Sequence, residues 1–234
     1  MTHTGPILEG KGATDYERYI RTDELLALQK DRKDLVNPEE SLFQITHQAA
    51  ELWLKEIDHE IERVVEHIGS GAFHNAADLL FRCGRILDSL REQIVILETM
   101  DPADYHVIRL SSLGQGSGQE SPGFNRLLDV GDRVWPGVQS ALDEAGLDAL
   151  EIERSPADHY ELHRLLQGLL SYDSAFMKWR FTHMRLAMRI IGSRVKSLKG
   201  VPVTQLEVGT RDPLFPKLWE TISDLTDSLP GSPK

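Results

Sequence analysis

The chain has 234 residues, 40% of them hydrophobic, which suits one large domain or two small ones and excludes a disordered chain. Its 26 basic residues face 37 acidic ones, a formal charge of −11 with no basic run, which argues against binding nucleic acid through its phosphates. The single cysteine, Cys83, excludes an intramolecular disulfide and any thiolate-rich metal site, and fits a reduced, cytoplasmic setting.

The N-terminus, Met1 to Gly12, has no apolar core of signal-peptide length, and no apolar stretch is long enough to span a bilayer, so no membrane partner is expected. Residues 1–13 are small and polar and are expected to be disordered, leaving 14–230 as one all-α domain. A first helix is predicted from Thr22 to Lys30. A second starts at Asn37-Pro38-Glu39-Glu40, with Asn37 as cap and proline in the first turn. It runs to Ile68 on a stripe of Phe43, Ala50, Trp53, Ile57, Ile61, Val64 and Ile68. A third covers Asn75 to Met100, carries Cys83 on its apolar stripe, and is closed by Asp101-Pro102. The glycine- and serine-rich stretch Ser111–Gly123 cannot be a regular element. Short helical pieces follow at Asn125–Asp132 and Gly137–Glu144. A last long helix runs from Asp158 to Ile191, starting at Ser155-Pro156 and capped by Gly192, and the tail returns to a helix near Pro216–Leu229. Without repeats or a convincing strand, the expected fold is all-α: a bundle of long antiparallel helices.

Two histidines stand out, each on or beside the apolar face of a long helix, in Phe43-Gln44-Ile45-Thr46-His47-Gln48 and Trp179-Arg180-Phe181-Thr182-His183-Met184. A haem ligand sits on a rigid element and points into an apolar slot. Phe176, Trp179 and Phe181 bring apolar bulk near His183, and Arg180, Arg185 and Arg189 offer guanidinium groups to propionates. Taken alone, each histidine is better read as an interior residue with a satisfied hydrogen bond, His47 to Glu51 one turn on. Tyr105 and Arg109 lie one helical turn apart, and Arg109 suits a carboxylate fork or, by default, the surface. The segment Gly114–Ser121 offers backbone N–H groups but lacks the lysine of a phosphate-binding loop. Glu56-x-x-His59 has the spacing of a di-iron bundle site, with no second copy elsewhere.

In their order, the segments resemble the tryptophan 2,3-dioxygenase family of haem enzymes. Tyr16-Glu17-Arg18-Tyr19-Ile20-Arg21-Thr22-Asp23-Glu24-Leu25-Leu26 looks like its opening motif, and Leu42 to Trp53 like its distal-histidine helix. Leu97-Glu98-Thr99-Met100 with Tyr105 and Arg109, then Trp179 to Gly192, then Phe215-Pro216-Lys217-Leu218-Trp219, look like its later blocks. The resemblance implies haem b held between helices, with His183 as axial ligand, Trp179 beside it, and O2 as co-substrate. It implies that His47 accepts the indole N–H, Phe43 packs on the indole, and Arg109 holds the carboxylate of a tryptophan-type amino acid with Tyr105 beside it. Ser117 and Gly118 would lie near haem and O2. Tyr16, Tyr19 and Ile20 would reach into a neighbouring subunit of a homotetramer.

The chain departs from the family's usual pattern where the loop after the proximal helix reads Ser193 to Pro202, with Ser197 in place of the usual threonine, and where the loop Gly114–Gly123 is longer. The implied reaction is insertion of both oxygen atoms at the indole C2–C3 bond of tryptophan or a substituted tryptophan, giving N-formylkynurenine. Transfer of one atom, giving a 2-oxindole or hydroxyindole, is the alternative. A haem sensor or carrier is the non-enzyme alternative.

Overall fold

Three long apolar stripes at helical spacing decide the architecture. The computed structural model describes residues 5–193, 207 and 209–230. Among these residues every regular element is helical, which agrees with the all-α expectation. None of these helices is long and apolar enough to cross a membrane.

The first stripe belongs to α3 (Glu40–Gly69), which buries Leu54, Ile57, Ile61, Val64 and Ile68. The second belongs to α4 (Phe73–Leu97), where Leu80, Cys83, Leu87, Leu90, Ile94 and Leu97 are buried. Ser70-Gly71-Ala72 reverses the chain between them, with Gly71 at φ +74°, a conformation glycine adopts without strain. The third stripe, on α9 (Tyr160–Ile190), buries Leu165, Leu166, Leu169, Tyr172, Phe176 and Trp179. α4 lies against both α3 and α9, so its stripe is shared. A Cβ on Gly168 would stand 3.3 Å from the Ala77 Cα, so glycine there lets α9 approach α4 closely.

Short elements differ from expectation for local reasons. The predicted helix Thr22–Lys30 is instead two pieces, α1 (Asp15–Ile20) and α2 (Thr22–Leu26), split at Arg21, whose φ is 56°. Thr14 and Glu17 form a reciprocal cap on α1, a signal the sequence did carry. Asn37 does not cap a helix that includes Pro38. Its side chain accepts from Glu39 N at 2.9 Å, forming a turn, and α3 begins at Glu40. Asp101-Pro102 does not merely stop a helix but starts one, α5 (Pro102–Ser111), with the Asp101 side chain accepting from Ala103 N at 2.8 Å. The two pieces predicted after the glycine-rich stretch are α6 (Pro122–Leu128) and α7 (Val130–Ala145). α7 continues through Pro136. Burying Val130, Val134, Val138 and Leu142 offsets the roughly 3 kcal/mol that an interior proline costs. Next, α8 (Ala149–Arg154) intervenes before α9. On α3, Trp53 is 42% exposed and faces away from the stripe.

The last helix, α10 (Pro216–Ser228), packs on α8 and α9. One buried carboxylate ties it there. Asp173 of α9 accepts from Leu214 N and Phe215 N, both at 3.1 Å, and from Trp219 Nε1 at 2.9 Å. Three N–H groups thus depend on one fully buried side chain. Asp173→Ala should lower stability by about 3 kcal/mol, a drop of roughly 10 °C in Tm by calorimetry.

Candidate functional site

The faces of α3, α4 and α9 that form the core also line, toward the start of α3 and the ends of α4 and α9, a cavity of about 520 Å³, within the size of small-molecule sites. On α3 the wall runs Phe43, His47, Ala50, Leu54, the same face that becomes core further along. On α9 it runs Trp179, His183, Leu186 and Ile190, and on α4 Leu90, Ile94 and Leu97. α5 adds Tyr105 and Arg109. The segment 113–121, with Phe124 of α6, closes the remaining side.

The two histidines therefore meet as opposite walls of one cavity. The His47 Nδ1 atom lies 2.7 Å from the Phe43 carbonyl oxygen. A carbonyl only accepts, so Nδ1 carries the proton and Nε2 keeps its lone pair as an acceptor. The Phe43 ring lies tilted against the imidazole with centroids 4.0 Å apart, and Tyr105 meets Phe43 at 5.7 Å. The imidazole faces the open cavity, yet apolar neighbours desolvate it and lower its pKa, while the Phe43 carbonyl and the Glu51 charge partly oppose this. It is neutral at neutral pH. Glu51, expected as its partner, bonds instead to Ser121 and Gly123.

His183 has no hydrogen-bond partner among the described residues. Burial pushes its pKa down to about 4, with a smaller contribution from His47, so an unprotonated nitrogen is available there at neutral pH. The Trp179 ring lies nearly parallel to it, 6.2 Å between centroids, and is backed by Phe124 and Phe176. The Trp179 Nε1 is buried without a partner among the described residues. A Cβ built on Gly118 would lie 3.9 Å from the His183 Nε2, so the backbone of that segment stands directly opposite this nitrogen. Ser117 lines the cavity and caps a single 3-10 turn, Gly118–Glu120. Its Oγ accepts from Gln119 N at 3.4 Å, and the Glu120 Oε2 accepts from Ser117 N at 2.8 Å. Burial raises the pKa of the Tyr105 hydroxyl, which stays protonated, and Arg109 is the one cation among the described lining residues.

Other expected site residues lie elsewhere. Arg180, Arg185, Arg189 and Phe181 are outside the wall, because α9 turns about 100° per residue and the wall uses positions 179, 183, 186 and 190. Arg180 donates to the Asp212 carbonyl and Arg189 to the Glu98 carbonyl. Tyr16, Tyr19 and Ile20 lie on α1, 70%, 77% and 40% exposed, and none of them lines this cavity. Ser197 lies outside the described residues. Glu56 and His59 are exposed, and the described residues contain no group of three or more potential metal-ligating side chains. Cys83 is buried, its thiol pushed up to about 12, which makes it a packing residue. Sequence reasoning missed the part played by Glu51, Gln93 and Phe124 in the wall. Their helical register with His47 and Leu90 was the available signal for the first two.

Chemically, the site offers a free nitrogen on one wall, a hydrogen-bond acceptor on the other, an apolar interior and one guanidinium at the side. Selective ¹⁵N labelling checks the tautomer. NMR at neutral pH should show His47 protonated at Nδ1 and bare at Nε2. Because burial lowers its pKa, the ring gains its second proton only as the pH falls below 6.5, the ordinary value for histidine.

The family model described as tryptophan 2,3-dioxygenase matches residues 1–135, a stretch that includes His47, Tyr105, Arg109 and Ser117. The tryptophan 2,3-dioxygenase of Caulobacter vibrioides is 32% identical, the match covering 87% of this chain and 95% of that protein. That of Shewanella woodyi is 27% identical over 88% of each chain. That of Pseudomonas aeruginosa PAO1 is 29% identical, over 91% of this chain and 90% of the other.

Proposed function

The chain belongs to the tryptophan 2,3-dioxygenase family, whose members depend on haem and use O2, and from that premise we propose that it inserts both atoms of O2 across the indole C2–C3 bond of L-tryptophan or a substituted tryptophan, giving an N-formylkynurenine. The observation that carries the reading is the pairing of His183 and His47 across one apolar cavity.

The residues present fit haem b. The unpartnered His183 nitrogen sits on a long helix, where it is rigidly aimed, and the surrounding wall is aliphatic and aromatic. Haem bound there supplies the iron that activates O2 toward the indole ring. The side chains of this chain do the rest by orientation and exclusion of water. His47 accepts the indole N–H at Nε2, which its bond to the Phe43 carbonyl keeps unprotonated. Phe43 packs on the indole face. Arg109, with Tyr105 one turn before it, holds the substrate carboxylate as a fork. Ser117 and Gly118 border the oxygen side, and Trp179 braces His183 from beneath.

Two measurements check this. His183→Ala should abolish the Soret band of the haem-loaded protein, and an unchanged spectrum would reject the ligand assignment. Labelled O2 with tryptophan and with β-methyltryptophan should give a ring-opened product carrying two labelled atoms. A single labelled atom in an intact 2-oxindole would overturn the dioxygenase outcome.

The same reading includes a homo-oligomer, in which Tyr16, Tyr19 and Ile20 complete a neighbour's pocket. Its support is the run of exposed apolar side chains along α1 and α2, Tyr16, Tyr19, Ile20 and Leu26, on short helices with no buried residue of their own. Deleting residues 1–21 should raise KM for tryptophan at least tenfold and lower the oligomeric mass in light scattering. Full activity in the truncated chain would count against a shared pocket.

A further inference from the structure

Glu51 stands one turn beyond His47 on α3 and lines the cavity, and both of its oxygens bond to the segment that closes it. One oxygen accepts from the Ser121 hydroxyl and the other from Gly123 N at 3.1 Å. These contacts join positions 70 and 72 residues apart in sequence. They are charge-assisted bonds to a segment, 114–123, made mostly of glycine, serine and glutamine. The Ser121 hydroxyl does double duty, accepting from Phe124 N at 3.0 Å as the cap of α6. At Gly123 a Cβ would lie 2.7 Å from the Leu54 Cβ and 2.8 Å from Glu51 Oε2. The segment is thus pressed onto α3 more closely than any other residue would allow.

Upstream, the reciprocal cap between Ser117 and Glu120 makes the turn at 118–120 a stiff unit. A stiff turn moves as a body, so its height above α9 is set by where its far end is tied. That far end is the pair of bonds to Glu51. At its near end Gly118 faces the His183 Nε2. Building on the assignment of His183 as the haem ligand, we propose that Glu51 is a positioning residue, whose carboxylate sets where the Gly118 backbone stands relative to the His183 wall of the cavity that would hold the haem. The Nδ1 proton of His47 goes to the Phe43 carbonyl and not to Glu51, whose two oxygens bond to the segment.

The test uses the full chain, first without haem and then loaded with it. Glu51→Gln keeps the shape but sets an amide donor against the Ser121 and Gly123 donors. In the haem-free protein, amide hydrogen exchange at residues 117–124 should speed up about tenfold while the cores of α3, α4 and α9 are unchanged. In the ferrous, haem-loaded protein under carbon monoxide, the C–O stretching band should shift and broaden, and kcat should fall about tenfold with little change in KM. Ser121→Ala, which keeps the carboxylate and loses one bond, should move all three readouts in the same direction by less, and carries the test should Glu51→Gln fold poorly. The double variant should be no worse than Glu51→Gln. Faster exchange with an unmoved C–O band and kcat would overturn the positioning role, and unaltered exchange would overturn the tether itself. A wild-type chain that takes up no haem would defeat the ligand assignment and the positioning role with it. The exchange measurement, which needs no haem, tells that failure from loss of the tether.

Discussion

Everything in this molecule depends on one apolar stripe, that of α4, being shared by two neighbours. α3 and α9 pack against it from either side, and the core is the overlap of three helical faces. Close packing leaves little empty space in such an overlap. Toward the start of α3 and the ends of α4 and α9, the same three faces border a gap. The gap is lined by Phe43, His47, Trp179 and His183. The site is thus a continuation of the core with its filling left out, and it inherits the core's apolar walls.

That origin explains the electrostatics. Burial lowers the pKa of both histidines, and each influences the site as a neutral ring. Their difference lies in what each ring is bonded to. His47 spends one nitrogen on the Phe43 carbonyl and presents the other as an acceptor. His183 has no such bond and leaves its ring to a stack with Trp179. In the proposed function the first orients the organic substrate and the second holds the metal. Besides the histidines, polar groups enter from several sides: Thr46 and Glu51 from α3, Gln93 from α4, Tyr105 and Arg109 from α5, and the capped turn after Ser117, which the Glu51 carboxylate holds down.

Sequence reading went furthest where helices are long. The stripes of α3, α4 and α9 repeat often enough to declare themselves, and the histidines fall in register with them. It went wrong where one local contact outweighs the pattern. Asn37 closes a turn instead of capping a helix through Pro38, Arg21 takes a left-handed conformation that splits a helix, and Pro136 is carried inside α7 by four buried side chains. The arginines of α9 were grouped with His183 by nearness in sequence, but 100° of rotation per residue turns them off the cavity wall.

Taken alone, the sequence determined the helical class, the faces that pack, and the two histidines as the pair to watch, because these follow from the period of the apolar residues and from ordered blocks of residue types. Only the tertiary structure decided that the pair faces a single cavity, which nitrogen of His47 is free, and that Glu51 serves the glycine–serine segment instead of its helical neighbour. The first and last turn on contacts between residues tens of positions apart, and the tautomer on a side-chain rotamer within one turn of α3, and a periodic pattern holds no information about either.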